Sequence, residues 1–320
     1  MRICIDLRTG SGCGAANPNT ARVCGTCGQP LKYALELHDP GDSIGHYRVR
    51  SLIGCGSFGA VYAAEDTRQQ RQVALKESFE SASIQAFRGE FAVLKTLEHD
   101  HLPRYYEMFE ADGNGYLVME LIPGQSLEDV LNQQPNQPLA ETQVLGYALQ
   151  LCNVLTYLHS RQPMVLHRDI KPANIRLTPS GLVKLVDFGL LKQGTATTRS
   201  SRRGLTAAYA PLEQWGSTNQ GTTPQSDLYS LAASLYHLFT GQLPIPVNER
   251  VAANSDPLKP AQQHNRKLSA HISAALMQAM AIKPEARYAS VAAFQQVLVS
   301  NPAGPTVQLP QPQPTPACKT

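Results

Sequence analysis

Three oxygen-bearing side chains crowd the middle of this 320-residue chain. Asp169 and Asn174 lie in the run His167-Arg168-Asp169-Ile170-Lys171-Pro172-Ala173-Asn174, and Asp187 opens Asp187-Phe188-Gly189. Two carboxylates and an amide brought to one point suit a hard divalent cation such as Mg2+ together with a proton acceptor.

Those side chains need a scaffold that folds the two runs together. Between them lie two short apolar, β-prone segments, Ile175-Arg176-Leu177 and Leu182-Val183-Lys184-Leu185-Val186. Thr178-Pro179-Ser180-Gly181 has the turn chemistry to join them as a hairpin. A hairpin returns the loop before it and the loop after it to the same end, so Asp169, Asn174 and Asp187 should converge. Upstream, Val144, Leu145, Tyr147, Ala148, Leu151, Val154, Leu155 and Leu158 recur at helical spacing. They predict a long buried helix from Leu139 to His159 that leads into the run from His167 to Asn174.

The region from 46 to 123 reads as mostly strand. Tyr47 to Ile53 alternates, Gly54-Cys55-Gly56-Ser57-Phe58-Gly59 follows, and Ala60-Val61-Tyr62-Ala63-Ala64 is a second strand. In a dinucleotide-binding unit such a glycine run opens a helix, whereas here a strand follows. Glycines let backbone N–H groups approach phosphates without Cβ clashes. Val73-Ala74-Leu75-Lys76 is a third strand. Its lysine, if buried in a lobe wall, needs an anionic partner. Ile84 to Leu97 is amphipathic and carries Glu90, either a partner for that lysine or part of a solvated helix face. Tyr116 to Ile122 reads as a buried strand running into a connector at Gly124.

In this order the motifs resemble those of the protein kinase family. The resemblance covers residues 46–300 and implies an α+β bilobal fold: an N-lobe at 46–123, rich in β-structure with one main helix, and a helical C-lobe at 124–300. It implies Mg-ATP as phosphate donor and protein hydroxyls as acceptors. Asp169 would accept the substrate proton, Lys171 would offset charge on the transferred phosphoryl group, and Asn174 and Asp187 would hold Mg2+. A lysine at 171 looks like the serine/threonine class. Lys76 would bind the α- and β-phosphates and pair with Glu90. Ile53, Gly54, Cys55, Gly56, Ser57, Phe58, Gly59, Val61 and Ala74 would line the nucleotide site, and the backbone of Glu120 and Ile122 would meet the adenine edge. Met119 would guard the back pocket, though core packing explains a methionine there equally well.

Family likeness extends to the segment from Asp187 to Glu213. Thr206 would help orient Asp169 and Lys171. Pro211-Leu212-Glu213 stands where Ala-Pro-Glu is usual, with Glu213 expected to pair with Arg287. Asp227 would brace the catalytic loop from below. Arg202 stands where an activating phosphosite is often found, so the hydroxyls of Thr195 to Ser201 are either autophosphorylation sites or a polar loop. Leu102-Pro103-Arg104 and the Pro-Leu-Glu-Gln run look bacterial.

Outside these motifs lies a cysteine-bearing head at 1–31. Cys24-Gly25-Thr26-Cys27-Gly28 is a knuckle that could aim two thiolates at one ion. It is similar to small zinc-ribbon modules, which usually carry a second Cys-x-x-Cys about ten residues upstream. Cys13-Gly14 matches the later cysteine of such a pair, but Gly10 stands at the earlier position, leaving Cys4 as the available fourth thiol. A segment this short needs a metal to supply its folding energy. Free thiols in a disordered head and a thiol redox switch are the other readings. Residues 32–45 show little periodicity and read as a linker. Since the head is separate from every catalytic motif, its loss should alter stability or partner binding more than phosphotransfer. Residues 301–320, rich in Pro and Gln, should be disordered.

Composition narrows the remaining classes. A net charge of +3 is too mild to argue for a nucleic-acid partner. No apolar run reaches the roughly 18 residues that span a bilayer, and the N-terminus has no signal-peptide core. The expectation is a cytoplasmic enzyme with no membrane span. A scaffold of the same fold without catalysis is the contrasting class, but such proteins generally lose one of the polar motif residues, and all stand here.

Overall fold

The computed structural model describes residues 1–6, 9, 11–56, 59–79, 84–188, 207–215 and 221–300, without the side chains of 84–87 and 90. Several expectations therefore lie outside the described residues. They concern Gly10, Ser57, Phe58, the Glu90 carboxylate, Gly189, Thr195 to Ser201, Arg202, Thr206 and the tail 301–320.

The head is built on β1 (Arg2–Asp6), which lies between β2 (Ala16–Asn17) and β3 (Ala34–Glu36) in an antiparallel sheet. Successive side chains of a strand point to opposite faces. Cys4 accordingly packs with Cys24, Leu31 and Ala34 inside the head, while Ile3 packs with Leu35, Leu37, Tyr62, Leu75 and Val118 of the neighbouring lobe. This corrects the reading of 32–45 as a linker. The segment holds β3 and β4 (Ser43–Ile44), and Leu35, Leu37 and Ile44 are buried. Strands of two or three residues are too short to show a period. Their burial comes from a sheet made by residues further along the chain.

That sheet has the order β4-β5-β6-β7-β9-β8. Its remaining strands are β5 (Tyr47–Gly56), β6 (Gly59–Asp66), β7 (Arg71–Ser78), β8 (Tyr105–Ala111) and β9 (Asn114–Glu120). Alternation again divides its faces. Tyr62, Ala64, Val73, Leu75, Tyr116 and Val118 turn toward the head, and Ala74, Leu117 and Met119 join the main core with Leu94 and Phe91 of α1 (Ile84–Leu94). A fully buried side chain of this size contributes about 1.5–3 kcal/mol, so a head that buries Ile3, Leu35 and Leu37 is a structural part of the lobe.

Past β9 the chain becomes mainly helical. β10 (Gln125–Ser126) leads into α2 (Leu127–Gln133), where Ser126 and Asp129 form a reciprocal capping box. α3 (Glu141–His159) is the predicted buried helix. The predicted hairpin forms from β11 (Ile175–Leu177) and β12 (Val183–Leu185), with Ile175 opposite Leu185 and Leu177 opposite Val183. α4 (Pro224–Thr240) is buried along nearly its whole length. It starts with Pro at its first turn and stops at Gly241 in the left-handed conformation. α5 (Val247–Ala252), α6 (Ala261–His264), α7 (Ala270–Ala279) and α8 (Val291–Val299) complete the lobe.

Candidate active site and cysteine cluster

The hairpin does what its turn chemistry predicts. Val186 N–H donates to Asn174 O at 2.9 Å, so the residue before Asp187 is tied to the residue that ends the catalytic run. Asn174 Nδ2 donates to Asp169 O at 2.8 Å and to Asp169 Oδ2 at 3.0 Å. Lys171 Nζ reaches the same Oδ2 at 3.1 Å. One carboxylate oxygen thus faces an ammonium and an amide donor.

The loop backbone is strained and held from beneath. Arg168 has φ of +66°, a conformation that costs a residue with a Cβ about 1–2 kcal/mol. Asp227, fully buried on α4, accepts His167 N–H at 2.9 Å and Arg168 N–H at 2.8 Å. His159 at the end of α3 lies 2.9 Å from the same carboxylate. The brace on the backbone was expected, whereas the contribution of His159 was not. His167 itself is buried, which pushes its ring below its ordinary pKa and keeps it neutral. Its Nε2–H donates to Val186 O at 3.1 Å, so its Nδ1 is left to accept from Asp169 N–H at 3.4 Å.

Asp187 also takes a left-handed backbone, with φ of +60°. Its Oδ1 lies 3.2 Å from Lys76 Nζ on β7, which links the lobes across the cleft. Among the described residues that buried oxygen has this charge contact but no hydrogen bond of good geometry. A carboxylate oxygen in that condition suits a hard cation. Phe188 is buried, with its ring 4.6 Å from His167 and 6.4 Å from Tyr105. Gly54 and Gly56 on β5 have open space where a Cβ would stand, as a phosphate cradle requires. Gly59 differs, because its Cβ would stand 2.0 Å from Glu77 O, so it serves the close approach of β6 to β7. Val61 pairs with Lys76, and Ala74 pairs with Met119. Ile53 and Cys55 lie at least partly exposed on β5.

The connector between lobes is held by side chains that sequence reasoning missed. Glu120, expected to act through its backbone, turns its carboxylate to Lys184 on β12, at 2.9 and 3.0 Å. Lys184 also donates to Leu102 O at 3.1 Å. Arg176, opposite Lys184 in the hairpin, donates to Gly124 O and lies 3.5 Å from Ile122 O. Alternation with apolar neighbours marks Arg176 and Lys184 as one polar face of the hairpin, but it does not say what that face meets. At Gly124, with φ of +99°, a Cβ would stand 2.1 Å from Leu177 O, so only glycine lets the connector lie on the hairpin.

The expected pair at the foot of the C-lobe is present. Arg287 Nη1 and Nη2 donate to Glu213 Oε1 and Oε2 at 2.7 and 3.2 Å, and both residues are buried. Burial alone would raise the Glu213 carboxyl, but hydrogen bonds from Arg287 and Ser226 outweigh it and hold the group below its usual range. Next along, Gln214 Nε2 donates to Arg168 O at 3.2 Å.

In the head, Cys4, Cys13, Cys24 and Cys27 bring their sulfurs within 4.8 Å of one another. Cys4 to Cys27 is 3.6 Å and Cys13 to Cys24 is 3.5 Å. Sulfurs bound at about 2.3 Å around a tetrahedral zinc stand about 3.8 Å apart, so this set fits such an ion. Cys4 joins the cluster although Gly10 occupies the expected place in the sequence, because β1 returns it to the knuckle. Cys27 and Thr26 backbone N–H groups pull the Cys24 thiol down to about 6, and burial pushes Cys4 up to about 12. Asn17, buried, accepts Gly25 N–H at 2.9 Å and approaches the Cys24 sulfur at 3.6 Å.

A family model described as a protein kinase domain matches residues 47–299. Serine/threonine-protein kinase PknB of Mycobacterium tuberculosis (strain ATCC 25618 / H37Rv) is 30% identical over 79% of this chain and 42% of its own length. Serine/threonine-protein kinase Pkn1 of Myxococcus xanthus is 29% identical over 92% of this chain and 46% of its own. The chain thus spans less than half the length of these relatives. Among solved structures, the PpkA-294 apo form aligns with a TM-score of 0.68 at 26% identity, over 82% of this chain and 99% of that one. The PknI kinase domain of Mycobacterium tuberculosis shares the fold, with a TM-score of 0.65 at 24% identity over 82% and 98% of the two chains.

Proposed function

Because this chain belongs to the protein kinase family, with its match spanning residues 47–299, we propose that it transfers the γ-phosphate of Mg-ATP to serine and threonine hydroxyls of proteins. The observation that carries the reading is the convergence of Lys171 and Asn174 on Asp169, with Asp187 held against Lys76 from the other lobe. Asp169 takes the proton of the attacking hydroxyl, which its paired charged form is suited to accept. Lys171 faces the charge that develops on the transferred group. Asn174 and Asp187 would hold Mg2+, which when bound would neutralise phosphate charge. Lys76 positions the α- and β-phosphates, Glu90 orients Lys76, and the glycine loop at Gly54 and Gly56, closed by Gly59 where β6 meets β7, covers the phosphates. The adenine lies between Val61 and Ala74 on one side and the Glu120 and Ile122 backbone at its edge. Catalysis is then positioning plus electrostatic stabilisation.

The finer features of this reading are a zinc ion on Cys4, Cys13, Cys24 and Cys27, autophosphorylation within Thr195 to Ser201, and action in the cytoplasm, where ATP and reduced thiols coexist. Among the described residues, no helix is long and apolar enough to cross a membrane. The test is transfer of labelled phosphate to the protein and to a generic basic substrate, with Asp169→Asn run alongside and the modified sites mapped. Transfer that disappears in the variant supports the reading; transfer that survives it removes Asp169 from the chemistry.

A further inference from the structure

The head lies outside the catalytic motifs in sequence, yet in space it packs onto the outer face of the N-lobe sheet. β1 has a sulfur of the cluster on one side, Cys4, and a member of the lobe core on the other, Ile3. β3 and the residue after it add Leu35 and Leu37 to that core, against Tyr62, Leu75, Tyr116 and Val118. Directly beyond, His38 reaches into the sheet. Its Nε2 lies 3.1 Å from Tyr116 Oη and 3.6 Å from Glu77 Oε1. Glu77 is 4% exposed and accepts from Tyr62 Oη, Tyr116 Oη and Asn114 Nδ2, each at 2.8 Å. Glu77 follows Lys76 on β7, so one residue carries the head contact and its neighbour faces the cleft.

Take the head away, and the outer face of the sheet is bare. Leu75, Tyr62 and Val118 would meet water, and Glu77 would lose the partner above it. β7 would then be packed on one face only, in the strand that aims Lys76. Among the described residues, the head's own core is Cys4, Cys24, Leu31 and Ala34 with Ala15 and Ala21 against it, small enough that an ion on the cysteines would supply much of its folding energy.

We propose that a thiophilic divalent metal ion on the four cysteines fastens the head over the outer face of the N-lobe sheet, and that occupancy of this site sets the affinity of the cleft for nucleotide. The proposal rests on the zinc and kinase readings above and adds the coupling between them. Such a coupling is reciprocal, so bound nucleotide must also tighten the metal.

The experiment uses the full chain under reducing conditions. Bound metal is counted by mass spectrometry, removed with a chelator that is then desalted away, and replaced with zinc or cobalt(II). Affinity for a fluorescent ATP analogue is measured at fixed excess Mg2+. The metal-free form should bind at least about fivefold more weakly, within the range usual for such couplings, and one equivalent of zinc should restore it. Leu37→Ser, which loosens the head but leaves the cysteines, should keep the cobalt–thiolate absorption while losing most of the metal effect on nucleotide. Cobalt that binds with thiolate absorption but leaves wild-type affinity unchanged overturns the coupling and spares the metal site. Cobalt that shows no thiolate absorption overturns the metal site itself. A wild type that binds no nucleotide in either form overturns the coupling together with the kinase reading.

Discussion

Glu120 and Lys184 join the connector between the lobes to the hairpin that carries the catalytic residues. The lysine Nζ lies 2.9 Å from one carboxylate oxygen and 3.0 Å from the other, and it also reaches Leu102 O. The pair lies 64 residues apart in sequence. It ties the connector to the hairpin whose flanking loops carry Asn174 and Asp187.

Lys184→Met should therefore weaken catalysis without touching a reacting group. The partly exposed pair and the orphaned Leu102 carbonyl together suggest a stability loss of about 1 kcal/mol. Activity should fall about fivefold in kcat/KM for ATP, a loss of the same size, with Lys184→Arg recovering most of it. Steady-state kinetics of both variants decide the point: equal losses in the two would show that charge alone is not the link.

Asp227→Asn tests the brace beneath the catalytic loop. The aspartate accepts from His167 N–H and Arg168 N–H, one on each oxygen. An amide turns an N–H group toward one of those donors. Displacing the loop by about 1 Å costs on the order of 100-fold in rate, so kcat should drop steeply while the KM for ATP changes little. A variant with wild-type kcat would mean that Arg168 keeps its left-handed backbone without help.

Arg287→Ala leaves the buried Glu213 carboxylate without its main partner. Breaking a buried pair from one side costs about 3–5 kcal/mol, and chemical denaturation would measure it. The pair also makes stability depend on acid. Glu213 is held below its usual range, so its contribution is present above the unfolded value of about 4.3 and is lost as pH falls through the lower folded value. The gap between wild type and Arg287→Ala should accordingly narrow in acid.

His38 works in the opposite direction. The facing Glu77 carboxylate, 3.6 Å from its Nε2, holds the ring above its ordinary value, against burial and with help from Asp42 and Asp112. Its stabilisation is full below the unfolded value of about 6.5 and fades as pH rises through the higher folded value. The other groups around it, Tyr62 and Tyr116, are pushed far above neutrality by burial and do not titrate in this window. Melting curves of His38→Gln should thus fall further below wild type at pH 6 than at pH 9; a constant difference would show that the ring acts by packing alone.

The amino-acid order alone determined that the loops carrying Asp169 and Asp187 meet, because everything needed to see it is local. Asp169, Lys171, Asn174 and Asp187 stand within one stretch, and the turn residues from Thr178 to Gly181 dictate that its ends meet. The period of α3 and the glycine–strand pattern at Gly54 to Ala64 are equally short-range. Tertiary structure decided the rest. Glu120 turns its side chain to Lys184, Cys4 comes to lie with Cys13, Cys24 and Cys27, and residues 32–45 pack into the N-lobe. In each case the partner lies on another element, and strands as short as β3 and β4 carry no period of their own. Only when the six-stranded sheet has formed does it offer the apolar face that buries Leu35 and Leu37, and the carboxylate that His38 meets.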